Sequence, residues 1–181
     1  MIYFLIGFMG AGKSTCAAEL SQRTGVAYVD LDKEIERVQN QAIQDIFNEK
    51  GEEFFRELEA KVLRSIQPQE EDLIVACGGG TPCFHDSMKW MNEQGETWYL
   101  KISPSEIYRR IDPEQWANRP VLKGARPEEV KRFIQDLMMT REKFYLQAHK
   151  VISEENANAR YLERYIVPEF RPPLDADASF K

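Results

Sequence analysis

A chain of 181 residues suits one domain and leaves little room for two. Apolar side chains make up 43% of it, enough for a core, and a net charge of -6 argues against a nucleic-acid binder, which would show a basic face. No apolar run approaches the roughly 20 residues of a membrane span, and an apolar start that breaks at Gly7 without a basic stretch is no signal peptide, so a cytoplasmic protein is expected.

In chain order, the short apolar runs at 2–6, 26–30, 73–77, 97–102 and 150–152 read as strands, the first four buried on both faces. Helical patterns follow at Lys13 to Thr24, at Ala42 to Ile66 with a break near Gly51, at Asp86 to Gln94, at Ser105 to Ile111 and at Pro127 to Ala148. Strand and helix in alternation imply parallel pairing through crossovers. The expected fold is α/β, a three-layer doubly wound sandwich with a central parallel sheet of about five strands. Ligands on such sheets sit outside the carboxyl ends of the strands. One domain is expected over residues 1–166, with a proline-rich, aperiodic lid near 112–126 that includes Trp116. An extended tail follows over 167–181. Cys16, Cys77 and Cys83 show neither a CxxC pair nor zinc spacing and read as reduced thiols, Cys16 being a small buried residue.

Gly7-Phe8-Met9-Gly10-Ala11-Gly12-Lys13-Ser14 matches G-x-x-x-x-G-K-[ST] in full, with a strand before it and a helix after. Glycines let the loop wrap closely round phosphate oxygens, and backbone N–H groups and the helix dipole face the anion. Gly10, Ala11 and Gly12 form the cradle of a nucleoside-triphosphate site. Lys13 can reach the β- and γ-phosphates, Ser14 can ligate Mg²⁺, and Thr15 can touch the α-phosphate. The P-loop strand comes first in sequence and is expected at the centre of the sheet.

The second strand runs into Val29-Asp30-Leu31-Asp32. On an extended segment residues i and i+2 point to one side, so two carboxylates would face one spot. Asp30 could hold a Mg²⁺-bound water, and Asp32 could accept a hydrogen bond from a substrate hydroxyl and help take its proton. Alone, Asp32 would be read as the cap of a helix starting near Lys33; beside a P-loop it is read as a site residue. In Gly51-Glu52-Glu53-Phe54-Phe55-Arg56-Glu57-Leu58-Glu59, Arg56 and Glu59 share a helical face. Arg56 could clamp a carboxylate with Glu59 orienting it, although the stretch by itself is read first as a surface ion pair. At the next strand end, Gly78-Gly79-Gly80 leaves bare backbone against which a small ligand can lie.

These pieces in this order resemble the shikimate kinase family, P-loop small-molecule kinases with a nucleoside monophosphate kinase-like fold. The resemblance runs from Ile2 to about Ile152 and rests on GFMGAGKST, VDLD, GEEFFRELE, CGGGTP, NRPVL and TREKFY. It implies transfer of the γ-phosphate of ATP to the 3-hydroxyl of shikimate, with Mg²⁺, in aromatic amino acid biosynthesis. It implies Lys13, Asp32 and Arg119 as catalytic residues, with Asp32 the base. It places Asp30 near Mg²⁺. It implies that Arg56 and Arg141 bind the shikimate carboxylate while Gly79 and Gly80, beside Gly78, lie against the substrate. Arg119 would close over the phosphates as a lid arginine, and Arg110 would pack on adenine. Arg141 is singled out by the resemblance alone. The expected partners are shikimate and ATP, with no nucleic acid and no membrane, and a monomer is expected.

Two rivals remain from the residues. A kinase for another small hydroxy acid, such as gluconate, shares the P-loop but gives no reason for FRELE and GGGTP. A nucleotide-dependent switch of the GTPase kind should show D-x-x-G and N-K-x-D, and neither occurs.

Overall fold

The computed structural model of the chain describes residues 1–67, 72–111 and 126–167. Five strands form one sheet: β1 (Ile2–Ile6), β2 (Ala27–Asp30), β3 (Leu73–Ala76), β4 (Glu96–Leu100) and β5 (Lys150–Ile152). Their order is β2-β3-β1-β4-β5, every pairing is parallel, and β1 lies at the centre as expected. Ile2 pairs with Leu73 and Leu5 with Ala76 on one side; Tyr3 pairs with Glu96 and Ile6 with Tyr99 on the other. All five residues of β1 are buried, so both faces of the sheet centre are covered. β2 corrects the expectation of burial on both faces. It is an edge strand, with Ala27 and Tyr28 exposed.

The helices are α1 (Lys13–Thr24), α2 (Leu31–Gln39), α3 (Ile43–Ser65), α4 (Ser87–Gln94), α5 (Pro104–Arg110), α6 (Pro127–Tyr145) and α7 (Ala159–Ile166). Two of them carry signals that decide the site. Gly51, whose φ of 81° and ψ of 175° are not helical, divides α3 at a kink into two helical segments, as the expected break near Gly51 implies. α2 starts directly at the end of β2 because the Asp30 carboxylate takes the N–H groups of Asp32 and Lys33 at 3.1 and 3.3 Å. The cap is therefore Asp30 rather than Asp32, and Asp32 stands in the first turn of a helix rather than on an extended segment. α7 was not anticipated from sequence. The Asn158 side chain caps it, and Ala159, Leu162 and Ile166 form its buried face. Its Glu163 pairs with Arg23 of α1, tying the end of the described chain to the P-loop helix. The lid near 112–126 falls almost wholly outside the described residues, as do Trp116, Arg119 and the tail beyond Val167.

Candidate active site

The loop from β1 to α1 is shaped by its glycines. Gly7 has φ of 142°, and a Cβ there would stand 2.8 Å from the Leu100 carbonyl oxygen. Gly12, the residue before α1, has φ of 88°, a left-handed conformation that costs other residues strain. The loop turns so tightly that Lys13, at the start of α1, reaches back over it. Its Nζ donates to the carbonyls of Gly7 and Phe8 at 2.8 and 2.9 Å, and the side chain is buried. Arg110, at the end of α5, donates from Nη1 to the Ala11 carbonyl at 3.4 Å and from Nε to Glu106 at 2.7 Å. Hydrogen bonds from Arg109 and Arg110 hold the Glu106 carboxyl down at about 2. Glu106 thus stays charged and keeps Arg110 beside the phosphate loop.

A cavity of about 250 Å³ opens beside this loop. Its lining includes Asp32 of α2, Arg56 and Glu59 of α3, Gly78, Gly79 and Gly80 after β3, and Arg141 of α6. Every substrate-binding residue singled out from sequence therefore meets at one place, although Asp32 and Arg141 lie 109 positions apart in the chain. The cavity also touches the phosphate loop, because Met9 lines it and a Cβ on Gly79 would lie 3.0 Å from the Met9 nitrogen.

The Arg56–Glu59 pair overturns its reading as a surface ion pair. Arg56 is 9% exposed and Glu59 2% exposed, with Nη1 donating to Oε2 at 2.8 Å. Glu52 accepts from Arg56 Nε and Nη2 at 3.3 and 3.2 Å, and the guanidinium lies 4.6 Å from the Phe84 ring centre and 5.1 Å from that of Phe55. Opposed acids and aromatic faces fix a cation's position far better than water does. A Cβ on Gly80 would come within 2.6 Å of the guanidinium, and one on Gly78 within 2.8 Å of Glu59 Oε1 and 3.0 Å of Asp32 Oδ1. Each of the three glycines thus stands where a side chain would crowd the groups that line the cavity.

A family model described as shikimate kinase matches residues 9–170. The chain belongs to the shikimate kinase family. It is 43% identical over 145 residues to a shikimate kinase of Parabacteroides distasonis, covering 80% of this chain and 83% of that protein. It superposes on the crystal structure of the Bacteroides thetaiotaomicron shikimate kinase with a TM-score of 0.81 at 33% identity, covering 92% of this chain and 99% of the other. It superposes on the Acinetobacter baumannii shikimate kinase in complex with shikimate with a TM-score of 0.79 at 31% identity, covering 91% and 89%. Shikimate kinases are transferases that phosphorylate shikimate with ATP, so ATP is the co-substrate of the family and the P-loop its natural seat.

Sequence reasoning missed two buried residues that stand behind the walls of this cavity. Thr81 is buried and its Oγ1 donates to Glu59 Oε1 at 2.6 Å; Tyr145 Oη donates to the Gly79 carbonyl at 2.5 Å. Their partners lie 22 and 66 positions away, and no local pattern announces such pairs. Cys16 is buried with its thiol pushed up to about 12 by burial and by Glu19, as suits a packing residue rather than a nucleophile. Among the described residues no group of three or more His, Cys, Asp or Glu side chains could enclose a metal. Mg²⁺ in phosphoryl-transfer sites keeps several waters and needs only one or two protein ligands. Ser14 directly follows Lys13 on α1, and only Oδ1 of the Asp30 carboxylate is engaged with α2, so the residues fit such an ion. No helix among the described residues is long and apolar enough to cross a membrane.

Proposed function

We infer that this chain transfers the γ-phosphate of ATP to the 3-hydroxyl of shikimate, giving shikimate 3-phosphate and ADP. One observation carries the inference: a single cavity beside the P-loop gathers two arginines, an aspartate and three bare glycines from four separate segments. A small monocarboxylic acid with several hydroxyls uses all of them. Arg56 and Arg141 take the carboxylate, which leaves the ring and its hydroxyls toward Asp32 and the phosphate loop. Gly78, Gly79 and Gly80 let the ring lie against backbone.

Asp32 accepts the hydrogen bond of the 3-hydroxyl and takes its proton as that oxygen attacks the γ-phosphorus and ADP leaves. Gly10, Ala11, Gly12, Ser14 and Thr15 hold the phosphates, and Lys13 neutralises charge on the β- and γ-phosphates. Arg110 lies against the adenine. Arg119, outside the described residues, is assigned to the phosphates by the family resemblance alone. Ser14 would hold Mg²⁺ directly and Asp30 through water; when bound, the ion neutralises charge shared between the phosphates. The chain acts as a cytoplasmic monomer, one domain over residues 1–166, and needs neither nucleic acid nor membrane.

ADP release measured with ATP and Mg²⁺, with and without shikimate, tests this. Release should rise steeply with shikimate and stay at background with gluconate. Equal stimulation by both acids, or by neither, would contradict it.

A further inference from the structure

The turn that leaves β3 is gripped from both sides by buried hydroxyls. On one side Thr81 Oγ1 donates to Glu59 Oε1 at 2.6 Å, while Glu59 Oε2 receives Arg56 Nη1 at 2.8 Å. Thr81 is 1% exposed, and its own N–H closes the turn on the Gly78 carbonyl at 3.2 Å. On the other side Tyr145 Oη donates to the Gly79 carbonyl at 2.5 Å. Tyr145 is also buried, its ring stacked on Tyr99 with centroids 5.0 Å apart. Burial pushes its phenol up and the neighbouring Arg141 guanidinium draws it partly back, so the hydroxyl keeps its proton at neutral pH. Arg141 sits one turn before Tyr145 on α6. One short turn thus touches the supports of both arginines.

We propose that Thr81 and Tyr145 are positioning residues that make the Gly78–Thr81 turn the shared reference for Arg56 and Arg141, and so set where the two guanidinium groups receive the substrate carboxylate. Thr81 does this through Glu59, which it turns so that the other carboxylate oxygen meets Arg56. Tyr145 does it by fixing α6 to the turn beside Arg141. Neither touches substrate. If the hydroxyls served stability alone, apolar packing would do as well, since buried polar contacts add little net stability. Their worth lies in direction. Two cations binding one carboxylate must hold their separation to a fraction of an ångström.

The inference rests on the proposed shikimate site, and calorimetric titration of shikimate into the unaltered protein, Thr81→Val, Thr81→Ser, Tyr145→Phe and the Thr81→Val/Tyr145→Phe double variant separates the two. Each single loss of hydroxyl should weaken shikimate about tenfold, as expected for a hydrogen bond that orders a charged group. Thr81→Ser should recover affinity to within about twofold. The KM for shikimate should rise in step, while kcat at saturation and the KM for ATP stay within about twofold. The double variant should lose less than the product of the single losses, because both act on one turn. Should Thr81→Val fail to fold, Tyr145→Phe, which keeps its ring against Tyr99, carries the test. Unchanged shikimate affinity, equal weakening of ATP, a serine variant no better than valine, or a double loss equal to the product would overturn the inference while leaving the site assignment standing. No binding of shikimate by the unaltered protein would overturn both.

Discussion

Arg56 and Glu59 stand one helical turn apart on α3 and form an ion pair of 2.8 Å that is closed off from water. Such a pair contributes little net stability, but removing one member strands the other in a poorly solvated place. Glu59→Ala should therefore cost about 3 kcal/mol of stability, read from denaturant unfolding. Arg56→Ala should raise the KM for shikimate about 100-fold while leaving the KM for ATP near its starting value, since the lost contact is to the acid alone. Equal weakening of both substrates would mean that Arg56 does not bind the carboxylate.

Gly80 sets a steric limit on the same group. A Cβ there would meet three atoms of the Arg56 guanidinium at 2.6 Å, and Glu52, Glu59 and the ring of Phe84 leave the guanidinium little freedom to retreat. Gly80→Ala should raise the KM for shikimate by about tenfold or more, because a displaced clamp costs orientation. The melting temperature should fall as well, because a displaced guanidinium loosens its buried pair with Glu59. A variant with normal shikimate kinetics would show that the close approach has no bearing on binding.

Asp32 is the residue whose chemistry is least replaceable. Its place in the first turn of α2, with Oδ1 close to the Gly78 backbone, points the carboxylate into the cavity. Asp32→Asn keeps the shape and removes the base. Its kcat should fall by about 10² to 10⁴, the usual range for a proton-transfer group. Single-turnover measurements with bound shikimate would separate this from weakened binding. A rate within a few-fold of the parent would remove Asp32 from proton transfer.

Burial also sets an alkaline limit. Folding raises Cys83 from 9.0 to about 11 and Cys16 from 9.0 to about 12, chiefly by desolvation, and raises Tyr99 from 10.0 to about 12 by burial and the charge of Glu142. A raised folded value favours the protonated native form. The stability it confers is complete below pH 9.0, where the unfolded thiols are still protonated, and drains away as pH climbs toward about 11 to 12. Melting temperature should hold from neutrality to about pH 9.0 and then fall with increasing slope. Cys83→Ser should soften the fall. A melting temperature unchanged to about pH 11 would show that these groups do not feel their burial.

Much of this was legible because the decisive signals are local. The run Ile2–Ile6 entering Gly7 gave the central strand and the phosphate loop together, and the triple glycine marked a strand end. The misreadings arose where long-range contacts decide. From sequence Glu59 reads as a surface partner because helical spacing reveals which residues are neighbours but not which face is covered; Thr81 from beyond β3 hydrogen-bonds it in the interior. The sequence alone reads Asp30 and Asp32 as one extended segment because nothing local shows that the first caps the helix bearing the second. α7 escaped because eight residues give barely two turns, and the packing of its buried face onto the body of the protein, rather than propensity, makes it a helix. Arg119 and the lid lie outside the described residues, so their assignment rests on the family resemblance.

The central claim is that the phosphoryl group goes to one hydroxyl of one acid, chosen by where the carboxylate is pinned. Two-dimensional phosphorus–proton NMR of the product formed from ATP and shikimate tests it most directly. The account expects a single phosphate monoester coupled to the proton on carbon 3. A phosphate coupled to the proton of another ring carbon, or ATP consumed with no phosphorylated acid formed, would contradict it.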